Sequence, residues 1–117
     1  MQDFQKLQVW QKAHHLTLAI YRISACFPSD ERFGLTSQIR RSAASVGANL
    51  AEGTGRATPH DFANFVSYAS GSIRETEYHL ILAHDLGFIV EADRDKLMVE
   101  VLDVQKMLRA LYERLHA

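Results

Sequence analysis

The chain has 117 residues, 47% of them apolar and 23% charged, and a formal net charge of −1, which fits one domain with a single core and excludes a disordered or membrane-class composition. No run approaches the roughly eighteen uncharged apolar residues of a membrane helix, and the N-terminal MQDFQKLQVWQK is charged before it is apolar, unlike a secretory signal. The expected location is therefore cytoplasmic. The lone Cys26 can form neither an internal disulfide nor a zinc knuckle and reads as a small buried hydrophobe.

Pro28 closes a first helix over residues 6–26, because proline disfavours helical geometry in the residue before it. Gly34 precedes a second helix over 35–52, which Gly53 and Gly55 end. Thr58-Pro59-His60-Asp61 starts a third, 59–86, with Thr58 as N-cap, Pro59 at the first helical position and Asp61 in the capping-box position. After Gly87 a fourth helix covers 91–115. No stretch alternates as a strand would, so the fold class is all-α: one antiparallel up-down four-helix bundle spanning 1–117.

In the fourth helix Leu97, Val101, Val104, Leu108, Leu111 and Leu115 recur at alternating steps of four and three, a coiled-coil-like seam. The third helix carries Phe62, Val66, Ala69, Ile73 and Leu80 on one side, with Phe65, Tyr68, Leu82 and Leu86 spreading to another. In the first, Trp10, Ala13, Ile20 and Tyr21 are central, and Val9, Leu16, Ile23 and Phe27 widen the stripe. These faces exceed what a bundle needs for its own core, which points to a second buried interface and an oligomer.

At about 100° per residue the second helix separates into three faces. Leu35, Ile39, Ala43, Val46 and Leu50 form a core stripe. Ser37, Ala44, Gly47, Ala48 and Ala51 form a small-residue face, bordered by Arg40, that lets another element approach closely. Gln38, Arg41, Ser45, Asn49 and Glu52 form a polar row whose members stand one turn apart and can act as a hydrogen-bonding ladder. Two readings stay open for the arginines. In one, Arg40 and Arg41 pair with Glu75 and Glu77 of the third helix, since a carboxylate beside an apolar stripe is costly unless paired. In the other, Arg40, Arg41, Ser45, Asn49, Glu52 and Arg56 contact a neighbouring subunit or nucleic-acid phosphates. Residues 1–57 hold seven Lys/Arg against four acids, and the rest six against ten, so phosphate contact is expected on the first two helices.

KLxVWQKA, FPxxERFGLTSQIRRSA, NLAEGxGR and GSIRE occur in this order, at residues 6–13, 27–43, 49–56 and 71–75. Over about residues 4–90 the chain resembles the bacterial four-helix bundle family known from proteins encoded in intervening sequences of 23S rRNA genes, similar in fold to the accessory protein of diversity-generating retroelements. The resemblance implies a homopentameric ring of bundles and an association with nucleic acid through basic surfaces. Members of the family often have a proline shortly before the asparagine of the third motif, where this chain has Val46-Gly47-Ala48-Asn49, and Gly47 is expected to keep a local bend.

No catalytic residue, metal site or cofactor is expected. His14 and His15 are adjacent and point to different faces, as do His79 and His84, and no His-x-x-Glu-His spacing occurs. Gly53-Thr54-Gly55-Arg56 lacks the lysine and the preceding strand of a phosphate loop and reads as a helix stop. The expected function is a non-catalytic, self-associating scaffold, a pentamer of itself, that binds RNA or a nucleic-acid-processing protein and no membrane. The alternative is a protein-binding accessory subunit, without nucleic-acid contact, for a partner encoded nearby.

Overall fold

The computed structural model of the chain describes residues 3–116. It contains four helices: α1 (Gln8–Ser24), α2 (Leu35–Thr54), α3 (Pro59–Asp85) and α4 (Glu91–Leu115). Short 3-10 turns at Phe4–Lys6 and Ser29–Glu31 precede α1 and α2, and there is no strand among the described residues. Each helix packs on the next and α4 returns to α1, giving a bundle of 43 × 24 × 20 Å. The core is one cluster to which every helix contributes, with Ile20, Ile39, Leu50, Val66, Leu80 and Leu108 fully enclosed. Burying a side chain of this size contributes about 1.5–3 kcal/mol. No helix among the described residues is long and apolar enough to cross a membrane.

The helix ends follow from local chemistry. Thr58 accepts a hydrogen bond from the Asp61 amide at 3.1 Å and Pro59 opens α3. At the other end of α3, Gly87 takes φ +82°, and the Phe88 amide reaches back to the Ala83 carbonyl at 2.8 Å while that of Gly87 meets His84 at 2.9 Å. Only a residue without a Cβ enters that conformation without strain. The start of α2 is capped from outside the helix: the Leu35 amide donates to the Glu31 carboxylate at 3.0 Å. Gly34 lets the carboxylate in, since a Cβ there would stand 2.7 Å from its oxygen.

Several expectations are corrected. The first helix is shorter than 6–26, because Lys6 belongs to the 3-10 turn, Leu7 is extended, and the chain turns out of the helix after Ser24. In α1 the buried line is Val9, Ala13, Leu16 and Ile20, while Tyr21 is 44% exposed and Trp10 only partly covered. Cys26, just past α1, is exposed. α2 runs through Gly53 to Thr54, and it passes Gly47 without interruption. Gly47 instead makes room for a neighbour, since a Cβ there would lie 3.3 Å from the Trp10 indole nitrogen.

Candidate functional site

α2 lies between α1 and α3, and the two arginines in its N-terminal half point to different neighbours. Arg40 turns to α1. Its Nε donates to the Ser24 hydroxyl at 2.7 Å, a terminal nitrogen donates to the Tyr21 carbonyl at 3.0 Å, and the guanidinium lies 4.7 Å from the Tyr21 ring centroid. Tyr21 O is among the last carbonyls of α1, where the Ser24 hydroxyl stands 3.3 Å away, so Arg40 bonds both groups at the end of α1 and meets its negative dipole. It therefore pairs with no α3 carboxylate. Arg41 turns to α3, where it forms an ion pair with Glu75, and it also donates to the Gln38 side chain at 3.1 Å. Glu77 goes elsewhere, to Arg74 at 3.3 Å on its own helix and to Gln105 of α4 at 2.8 Å.

Behind the Arg41–Glu75 pair runs a buried polar chain that the spacing of the histidines did not reveal. His79, only 7% exposed, has Nδ1 3.1 Å from the Ser42 hydroxyl and Nε2 3.8 Å from the Glu75 carboxylate. The Thr76 hydroxyl lies 2.9 Å from both the Ser42 hydroxyl and the Ser72 carbonyl, which share its one proton. Burial holds the His79 pKa below the ordinary 6.5, Arg41 lowers it further, and Glu75 acts against both. The neutral ring then accepts from Ser42 at Nδ1 and directs its Nε2 proton toward Glu75. Ser42 has no exposed surface, so no substrate can reach its hydroxyl, and the Ser–His–Glu order serves to join α2 to α3. The available signal was the position of His79, three residues after Thr76 and one before the core residue Leu80.

The polar row on α2 is built differently from a side-chain ladder. Ser45 donates to the Arg41 carbonyl and Asn49 to the Ser45 carbonyl, both at 2.8 Å, so each reaches back one turn to the backbone. Short polar side chains within a helix reach that carbonyl more readily than each other. Glu52 pairs with Arg56 at 3.4 Å, and the Arg56 guanidinium rests 4.6 Å from the Phe65 ring centroid. A Cβ at Gly53 would meet Phe62 at 2.8 Å and Phe65 at 2.9 Å, so this glycine sets how closely α2 and α3 approach.

On the opposite side of α2 the small-residue face is partly covered by α1. Thr17 bonds the Ala43 carbonyl at 3.1 Å, and Trp10 covers Gly47 while stacking on His14 at 4.8 Å and meeting Phe4 edge-on at 5.1 Å. Ala44 and Ala48 stay exposed and, with Trp10 and Tyr21, line an apolar concavity of about 360 Å³. Ser37 is exposed. His14 is exposed as well, and its contact is the indole face.

These features define an all-helical bundle whose central helix carries a polar junction on one flank and an apolar shoulder on the other. Residues 5–110 match the model of the 23S rRNA-intervening sequence protein family, and the chain belongs to that family. A crystal structure from Bacteroides thetaiotaomicron VPI-5482, described as a protein with unknown function from the S23 ribosomal protein family, has the same fold. It superposes with a TM-score of 0.83 at 24% identity, over 90% of this chain and 95% of that one. No curated protein is similar to the chain in sequence.

Proposed function

We propose that the chain is a non-catalytic scaffold of the cytoplasm, an antiparallel up-down bundle that assembles with copies of itself and binds RNA or a ribonucleoprotein partner. The antiparallel order is supported by the contacts across helix pairs: Trp10 meets Gly47, Thr17 meets Ala43 and Ser24 meets Arg40, so positions descend along α2 as they rise along α1. The shoulder of Trp10, Tyr21, Ala44 and Ala48 carries the assembly reading, because exposed alanines beside aromatic rings allow a second copy to pack close. A ring of five is what the family resemblance adds. The sealed Ser42 hydroxyl supports the non-catalytic part.

Light scattering at micromolar concentration tests the assembly. An oligomer is expected for the parent chain and a folded, smaller species for Ala48→Arg, whose side chain points outward; a stable monomeric parent removes this half of the proposal. The internal engagement of Arg40 and Arg41 favours a second reading, an accessory subunit that binds protein alone. Absence of binding to structured RNA at low salt would select it.

A further inference from the structure

α1 and α4 are separated by a shallow groove that three adjoining concavities trace from one end of the bundle to the other. Lys6 and Arg114 flank one end, Arg22 and Lys96 the other, and Lys12 stands between them. Asp93 and Glu100 are the lining carboxylates, so five Lys/Arg face two acids on a chain whose net charge is −1. Lys12 bridges to Asp103 at 3.5 Å, and His15 lies 3.6 Å from Glu100. Lys6, Arg22, Lys96 and Arg114 take no carboxylate partner among the described residues, and all four are exposed. The arginines of α2, by contrast, are occupied within the chain.

We infer that the α1–α4 groove is a binding track for a single RNA strand, held by its phosphates at the Lys6–Arg114 and Arg22–Lys96 ends. This rests on the RNA reading given above and moves the contact from α2 to a surface to which α4 contributes half of the free cations. Lys6 precedes α1 and Arg22 lies in its last turn. At about 1.5 Å per helical residue the two ends are roughly 24 Å apart, a span of about seven nucleotides at about 3.4 Å per stacked nucleotide. Gln8 and Gln11 line the middle and offer uncharged donors and acceptors. The one ring among the lining residues is the exposed His15 beside Glu100, and Tyr, Trp and Phe are absent from them, so the groove lacks both the large aromatic anchors of a protein interface and a run of rings for stacked bases, and binding is by charge and independent of sequence. The shoulder on α1 and α2 lies on another flank, so self-association there leaves the groove open.

The test is fluorescence anisotropy of a labelled twelve-nucleotide oligouridylate with the full chain at low salt, followed by a salt titration. Lys6→Glu/Arg114→Glu and Arg22→Glu/Lys96→Glu are each expected to weaken binding about tenfold or more and to lower the log–log salt slope by about two. Lys106→Glu/Arg109→Glu, a reversal of equal size at exposed α4 positions that line none of these concavities, is expected to change affinity by less than about threefold. Equal loss in all three variants, or none in the groove variants, overturns the groove while leaving RNA binding in place. No binding by the parent chain overturns the RNA reading and the groove with it. Equal binding of an oligoglutamate peptide, with the same losses, assigns the groove to an acidic protein and overturns the inference.

Discussion

Ser42 of α2 and His79 of α3 meet through a fully buried hydrogen bond of 3.1 Å, and each has a second partner, the buried Thr76 for Ser42 and the half-exposed Glu75 for His79. Among the described residues no buried side-chain nitrogen or oxygen lacks a partner, so this chain is closed. Removing the Ser42 hydroxyl leaves the His79 ring nitrogen unpaired inside the bundle. Ser42→Ala is expected to lower stability by about 1–3 kcal/mol, read as a lower urea midpoint with an unchanged slope.

Acid should loosen the same junction. The folded pKa of His79 lies below its ordinary 6.5, so below pH 6.5 the unfolded chain binds the extra proton more readily than the folded one. The stabilisation is present above pH 6.5 and is lost as pH falls toward the folded value. Urea midpoints of the parent chain and of His79→Gln should converge on going from pH 7.5 to pH 5.5; parallel curves would refute the assignment.

The two charged neighbours of His79 push its titration in opposite directions. Arg41→Ala removes a cation that disfavours the imidazolium and should raise the pKa, while Glu75→Gln removes the carboxylate that favours it and should lower the pKa further. Ring-proton chemical shifts against pH give both signs. The Arg41–Glu75 pair is half exposed, so its own contribution to stability is within about 1 kcal/mol.

Two glycines should respond in opposite ways to the same substitution. Gly53→Ala drives a methyl group into Phe62 and Phe65 and is expected to cost about 1–3 kcal/mol. Gly71→Ala, mid-helix with no other helix or neighbouring side chain within 4 Å of the new methyl, should stabilise by up to about 1 kcal/mol. Thermal midpoints of the two variants report the difference.

The architecture was legible where a periodic pattern coincided with burial. Leu35, Ile39, Ala43, Val46 and Leu50 on α2, and Leu97, Val101, Val104, Leu108 and Leu111 on α4, are all buried as their spacing implied. In α1 the centre of the stripe was misplaced: Trp10 and Tyr21 sit at the rim of the α1–α2 contact, over Gly47 and beside Arg40, while Val9 and Leu16 join Ala13 and Ile20 in the buried line. At the site, one-letter spacing placed Glu75 beside the α2 arginines but could not choose between the two. Arg40 and Arg41 differ by about 100° around the helix, and only the position of α1 decides that Arg40 turns away from α3. His79 was missed because its partner, Ser42, lies 37 residues away on another helix.

The segment from Phe27 to Ala43 has one further consequence. Glu31 completes the first turn of α2, Arg40 completes the last turn of α1, and Gly34 admits the Glu31 carboxylate. These contacts form a clasp that closes a helical hairpin upon itself, and Glu31, Gly34 and Arg40 all find their partners within the chain. Each helix of the pair thus has its end finished by a residue that lies outside it, so the two are expected to loosen together.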